Sequence, residues 1–136
     1  MRQNFILSCT LLAIAMMIAC GKQTPGLDTY DIPYQEKVTF DKGKRLLFSD
    51  VLFDNRCPID VTCITGGEVI VEFQALEDSD TTTFSLHLGP DSTGPTDTVI
   101  LVDYHIELLE VYPLPVSGVE VEKDDYECRV LIEKVP

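Results

Sequence analysis

Four stretches of the chain place their side chains in strict alternation, and this limits the fold more than any other feature. Val69, Val71, Phe73 and Ala75 alternate with Glu68, Ile70, Glu72 and Gln74. Phe84, Leu86 and Leu88 alternate with Thr83, Ser85 and His87, and Tyr104, Ile106 and Leu108 with His105 and Glu107. Tyr126, Cys128, Val130 and Ile132 alternate with Glu127, Arg129, Leu131 and Glu133. A period of two puts one set on each face of a pleated strand, whereas a helix would scatter both around its circumference. One apolar face against one polar face describes a half-buried antiparallel strand. Composition agrees. Three of the four Ala precede Cys20, and all thirteen Val follow it, with seven Ile and eleven Thr. β-Branched side chains suit a pleated sheet better than a helix. Strands are expected near 36–41, 44–53, 67–77, 80–89, 98–103, 104–112 and 126–135, with 116–122 as a candidate eighth. Asp41-Lys42-Gly43 and Glu77-Asp78-Ser79-Asp80 fit hairpin turns, and the segment from Gly89 to Asp97 fits a longer loop. The expectation is an all-β fold, an antiparallel β-sandwich of seven or eight strands, with a small β-barrel as the alternative.

The leader has a different character. Arg2 is the only charge in residues 1–19, and an apolar or small run extends from Phe5 to Ala19. That run is shorter than the ~20 residues of a membrane span, and it has the form of a signal-peptide core behind a basic start. Met17-Ile18-Ala19-Cys20 resembles the lipobox of bacterial lipoproteins, with Met17 and Ile18 in place of the usual Leu and small residue. The resemblance implies cleavage before Cys20 and acylation of that residue by fatty-acyl chains such as palmitate. Several chains anchor a protein stably where one does not, at ~0.8 kcal/mol per buried CH₂. Residues 20–35 lack periodicity and read as a tether, although Tyr30 and Tyr34 would also suit an edge strand. Residues 36–136 remain as the folded domain. The expected location is the bacterial envelope, lipid-anchored to the outer membrane.

Charge narrows the partners. Ten Lys and Arg face 23 Asp and Glu, for a formal net charge of −13. Nucleic acid is therefore not an expected partner, since phosphate neutralisation needs clustered cations. The expected partners are the membrane, through the anchor, and a protein of the envelope. Export implies an oxidising compartment, so Cys57 and Cys63, with five residues between them in a long connection, are expected to form a structural disulfide. On the chain-entropy account such a short loop contributes roughly 2 kcal/mol. Cys128 shares parity with Tyr126 and Val130 and reads as a buried thiol; its pairing with Cys57 or Cys63 stays open at this point.

The segment Asp54-Asn55-Arg56-Cys57-Pro58, then Cys63-Ile64 and Gly67, resembles a family of small uncharacterised bacterial lipoproteins. Their pattern is Asp-Ser-Arg-Cys-Pro, four residues, then Cys-apolar-Trp-Ala-Gly between two strands. Tyr104–Leu108, Val111–Pro115 and Tyr126–Ile132 are also similar to that family. Thr65 stands where the family tends to have Trp, and Gly66 where it has Ala. The resemblance implies a β-rich lipoprotein and supplies no catalytic residues.

Chemistry-bearing residues are sparse. His87 and His105 fall on the polar faces of their strands, beside Ser85 and Glu107, where a His/carboxylate pair could serve as a metal site or general base. Asp91 and Asp97 flank hydroxyl residues without the spacing of a calcium loop. No catalytic residue, metal ligand or cofactor motif is nominated. Arg56 lies between Asp54 and Asp60, where an ion pair or bonds to carbonyls would stiffen the loop. Arg56, Ile59, Val61 and Ile64 form the candidate contact surface, with the apolar three alternatively plugging one end of the sandwich. The leading function is a membrane-anchored, non-enzymatic binding or structural module. A metal-assisted hydrolase and an inhibitor or immunity-type lipoprotein are the alternatives. Replacing Cys20→Ser is expected to shift the protein from the membrane to the soluble fraction and to block processing before residue 20. Unchanged fractionation and mass would refute the anchor.

Overall fold

The computed structural model describes residues 27–90, 97–101 and 103–135. The expected signal peptide, Cys20 and most of the acidic 91–97 loop lie outside them. The described residues form two four-stranded antiparallel sheets. One has the order β1-β8-β7-β6 and the other β2-β3-β4-β5. The strands are β1 (Leu27–Pro33), β2 (Lys37–Asp41), β3 (Lys44–Asp54), β4 (Val69–Glu77), β5 (Asp80–Leu88), β6 (Thr98–Leu101), β7 (Tyr104–Tyr112) and β8 (Glu127–Lys134). The sheets are open and stacked, so the fold is the sandwich and not the barrel.

The alternation expected from the sequence sets the inner faces. Val69, Val71 and Phe73 of β4, Leu86 of β5, Ile106 and Leu108 of β7, and Cys128, Val130 and Ile132 of β8 are all buried. Phe48 and Phe73 meet with ring centroids 5.6 Å apart, and Phe73 stacks on Phe84 at 5.9 Å. Truncating a buried aromatic of this kind to Ala typically costs about 3–5 kcal/mol. Register shifts interrupt the alternation twice in β3 and once in β7. Each extra residue bends its strand and turns the following side chains over. Ser49 is buried as a result, and its hydroxyl donates to Glu72 at 2.9–3.0 Å. Val111 is buried where uninterrupted parity from Leu108 would face it outward.

Two boundaries need correction. The tether expected over 20–35 is too long, because Leu27–Pro33 is strand β1, paired along its whole length with β8. Ile32 is fully buried. Asp31 lies opposite Arg129, which donates to its carboxylate at 2.7 Å. Pro33 ends the strand at a sheet edge, the position that tolerates a missing N–H. In contrast, 116–122 adds no strand. It is a loop with a turn, in which Val119 N–H donates to the Val116 carbonyl, and Lys123–Asp125 follows as a 3₁₀ turn.

The two ends of the sandwich differ. One end carries the two-residue β2–β3 and β4–β5 turns, the start of β1 and Tyr104. The other carries the long connections 55–68 and 113–126. Cys128 is free and fully buried between the sheets, and burial pushes its thiol pKa up. Maleimide is therefore expected to label Cys128 only after denaturation; labelling of the native protein, read by mass, would contradict this packing.

Candidate functional site

The 55–68 connection leaves β3 and returns as β4, so its two ends start side by side. Asn55 N–H donates to the Glu68 carbonyl at 2.9 Å, and Glu68 N–H donates to Asn55 Oδ1 at 2.7 Å. Cys57 N–H reaches the Gly66 carbonyl at 3.1 Å. Gly67 has φ of +68°, and a Cβ there would lie 2.1 Å from the Asn55 carbonyl oxygen. Only glycine supplies both the left-handed backbone and the close approach. Cys57 and Cys63 are disulfide-bonded. The loop is thus closed at its base by hydrogen bonds and again at its middle by a covalent link.

Arg56 anchors it to the opposite sheet. Its Nε and Nη2 donate to the two Asp54 oxygens at 2.9 and 2.7 Å. Nη2 also donates to the Pro113 carbonyl at 3.0 Å, and Nη1 to the Val111 carbonyl. The planar guanidinium suits this fork of acceptors, where a lysine ammonium could not hold the same pattern. Tyr126 completes the group by donating its hydroxyl to Asp54 Oδ2 at 2.9 Å. Arg56 is only 11% exposed at its side chain, so it serves the interior and is withdrawn from the contact surface expected of it. Asp60, its other expected partner, instead accepts from Ser117 N–H at 2.8 Å.

The apolar residues point the other way. Ile59 is 65% exposed, Val61 46%, and Ile64 fully exposed, so none of them plugs the sandwich. Beside them runs the 113–126 connection, held by Ile59 N–H donating to the Pro115 carbonyl at 3.0 Å. That second loop presents Leu114, Val116 and Val119, also exposed. The sequence reading missed these three: it held 116–122, with Val116 and Val119, as a candidate strand and gave Leu114, just before it, no role. The signal was present in Tyr112-Pro113-Leu114-Pro115, where two prolines forbid a continuing ladder. The outcome is one end of the sandwich with six exposed aliphatic side chains on two loops stitched together.

The two histidines do not meet. His105 lies outward from β7, between the inward Tyr104 and Ile106, and His87 outward from β5, on the other sheet. They occupy outer faces of opposite layers. The strand parity expected for His87 holds, yet the residue is only 4% exposed, against the surface position expected for it. Its Nε2 lies 2.6 Å from Glu68 Oε2. Among the described residues no three His, Cys, Asp or Glu side chains converge as metal ligands.

At the turn end a cleft of about 110 Å³ opens between the sheets, floored by Leu76, Leu101 and Ile106. Of its charged groups, Lys44 and Glu77 are paired with each other, and Arg45 and Asp80 also line it. Tyr104 donates to Asp41, and this bond raises the tyrosine pKa to about 12. Lys44 pairs with Glu77 and also sits 5.1 Å from the Tyr104 ring centroid. No family model, curated protein or solved structure matches this chain.

Burial pushes the Asp54 carboxyl pKa up, but the Arg56 side-chain and backbone donors, the guanidinium charge and the Tyr126 hydroxyl outweigh it and hold the group low. A carboxyl with a folded pKa below its unfolded value, about 3.9, contributes stability above that value and loses it as pH falls through the folded one. Asp54→Asn is expected to cost about 3 kcal/mol at neutral pH, as removal of one partner from a buried pair does. It should also flatten the loss of stability below about pH 4. Denaturant titrations at pH 7 and pH 3 check this; parallel losses in both proteins would show that the Asp54 cluster does not set the acid limb.

Proposed function

We propose that the protein is a lipid-anchored envelope protein that works by contact, presenting the loop end of its sandwich to a protein partner. The observation that carries this reading is the outward direction of Ile59, Val61, Ile64, Leu114, Val116 and Val119 on a loop pair that is already stiff. Exposed aliphatic side chains gathered at one place mark interaction sites more often than isolated ones do. The disulfide, the Gly67 turn and the Arg56 clamp order the loop before any partner arrives, which lowers the entropy lost on binding. The acids Asp60, Glu120 and Glu122 flank the apolar positions in sequence, which favours a partner with a basic rim.

The direction of the strands supports display. β1 starts at the turn end, opposite the exposed loops. An anchor at Cys20 would join the domain at that end and leave the loops facing away from the bilayer. Membership of the small lipoprotein family with the Asp-Ser-Arg-Cys-Pro pattern is part of the same proposal. Its support is the Asp54–Gly67 segment, whose arginine, disulfide and glycine each have a structural task here. Thr65, in place of the family's Trp, is exposed at the loop tip.

The double substitution Ile59→Ser and Val61→Ser tests the reading. Both side chains are exposed, so stability is expected to change by less than about 1 kcal/mol. Capture of a specific envelope protein by the wild-type domain should weaken in the variant. A stability loss of ~2 kcal/mol or more would mean that the side chains are structural. Undiminished capture would place the contact elsewhere, and hydrolysis of a test substrate that persists in the variant would favour an enzyme.

A further inference from the structure

The register of β4 with β5 explains why the sandwich is underfilled at its turn end. Phe73 lies opposite Phe84, and with Phe48 these rings fill the space between the sheets. At the next inward position Ala75 lies opposite Thr82, two small side chains. Leu101 and Ile106 face them from the other sheet, and the Phe40–Tyr104 ring pair closes one side at a centroid distance of 5.1 Å. The space left over is the cleft of about 110 Å³. An apolar cavity of ~150 Å³ takes benzene, so this one has room for a branched alkyl group of about five carbons.

One position further along the same face, Glu77 lies opposite Asp80 at the mouth of the cleft. Two like charges directly opposed across a ladder repel. Lys44 engages Glu77 and lies over the Tyr104 ring. Asp80 forms no side-chain hydrogen bond or ion pair with any described residue. Asp41 accepts from Tyr104, and the Lys134 ammonium is 4.0 Å from it. Asp103 adds a further negative charge within range of Lys44. Arg45 stands between Lys44 and the buried Leu46 on β3, so alternation turns its side chain to the outer face. The mouth of an apolar hollow thus carries an unengaged carboxylate beside an engaged one.

We propose that this cleft binds a small primary amine with a compact apolar body, its ammonium at Asp80 and its body against Ala75, Leu101 and Ile106. An ammonium has three N–H donors and no acceptor, so it can bridge Asp80 and Glu77 and relieve the repulsion between them. An anionic head group would meet that pair with like charge, and a hydroxyl would leave it uncompensated. Ala75, Leu101 and Ile106 offer no side-chain hydrogen bonds, so a hydrocarbon body is favoured over a sugar or an amide, whose polar groups would be buried unpaired. The site lies at the opposite end of the sandwich from the exposed loops and is independent of the contact proposed there.

Titrating the full chain in non-ionic detergent with isopentylammonium, isopentanol and isovalerate tests both halves of the site. The methyl resonances of Leu101 and Ile106 should shift saturably with the amine at millimolar concentration, as expected of so few atoms, while those of Ile59 and Ile64 stay fixed. Isopentanol should bind up to about fivefold more weakly, the size of an exposed ion pair, and isovalerate more weakly still. Added salt should narrow the difference. Asp80→Asn should remove the preference for the amine and raise the thermal midpoint, because the like charge opposite Glu77 is gone. Ala75→Leu fills the hollow and should abolish binding of all three compounds without lowering the thermal midpoint. If that variant does not fold, the exposed Asp80→Asn carries the test alone. Absence of saturable shifts in the wild type, isovalerate binding as tightly as the amine, or an amine preference that survives Asp80→Asn would overturn the proposal.

Discussion

The guanidinium of Arg56 joins the two sheets at the end where both carry long connections. Asp54 belongs to the end of β3, while the carbonyls of Val111 and Pro113 and the Tyr126 hydroxyl come from the other layer. Without it, the chain leaving β3 and the chain leaving β7 would each present unpaired polar groups at a half-buried junction. Buried ion pairs seldom add net stability over apolar contacts, because desolvation offsets the attraction. What this one contributes is position. It brings the 55–68 and 113–126 connections against one another, and the Ile59–Pro115 and Asp60–Ser117 hydrogen bonds follow from that placement.

The apolar exposure at the loop end follows from the same geometry. A seven-residue loop closed by a disulfide cannot fold back far enough to bury Ile59, Val61 and Ile64 while Arg56 holds its base inward. The core beneath is already filled by Tyr126, Val111 and Val69. Side chains that would be core elsewhere are therefore left outside. The opposite end has tight turns, with Lys44, Glu77 and Asp41 engaged around Tyr104. The two ends of one sandwich thus have different chemistry, exposed aliphatic loops at one, tight turns and ion pairs beside Tyr104 at the other.

Much of the fold was legible in the strands whose two faces differ sharply. Val69 to Ala75 and Tyr126 to Ile132 each carry enough alternation to fix both type and inward face. Leu27–Pro33 was half legible: Tyr30 and Tyr34 suggested an edge strand, which β1 is, but Asp28, Asp31 and Pro33 resemble linker composition, and its partner β8 lies almost a hundred residues away. The segment 116–122 failed in the opposite sense. Its valines suit a strand, but Pro113, Pro115 and Gly118 prevent a regular ladder, and no neighbouring strand is available to pair with it. His87 shows a third kind of limit. Parity gave its face correctly, but its burial beside Glu68 arises where the 55–68 connection meets β5.

The sequence by itself determined the secondary structure type, the inward faces of the central strands and the acidic character of the chain; it favoured the Cys57–Cys63 disulfide, and the buried, free Cys128 decided it. These follow from local rules: a two-residue period, β-branched composition and the excess of Asp and Glu. Tertiary structure alone decided which way Arg56 turns, that Ile59, Val61 and Ile64 face solvent, and that Leu114, Val116 and Val119 stand beside them. Those outcomes depend on contacts between segments more than fifty residues apart. No local pattern encodes them, because the direction of a loop side chain is set by what already fills the space beneath it.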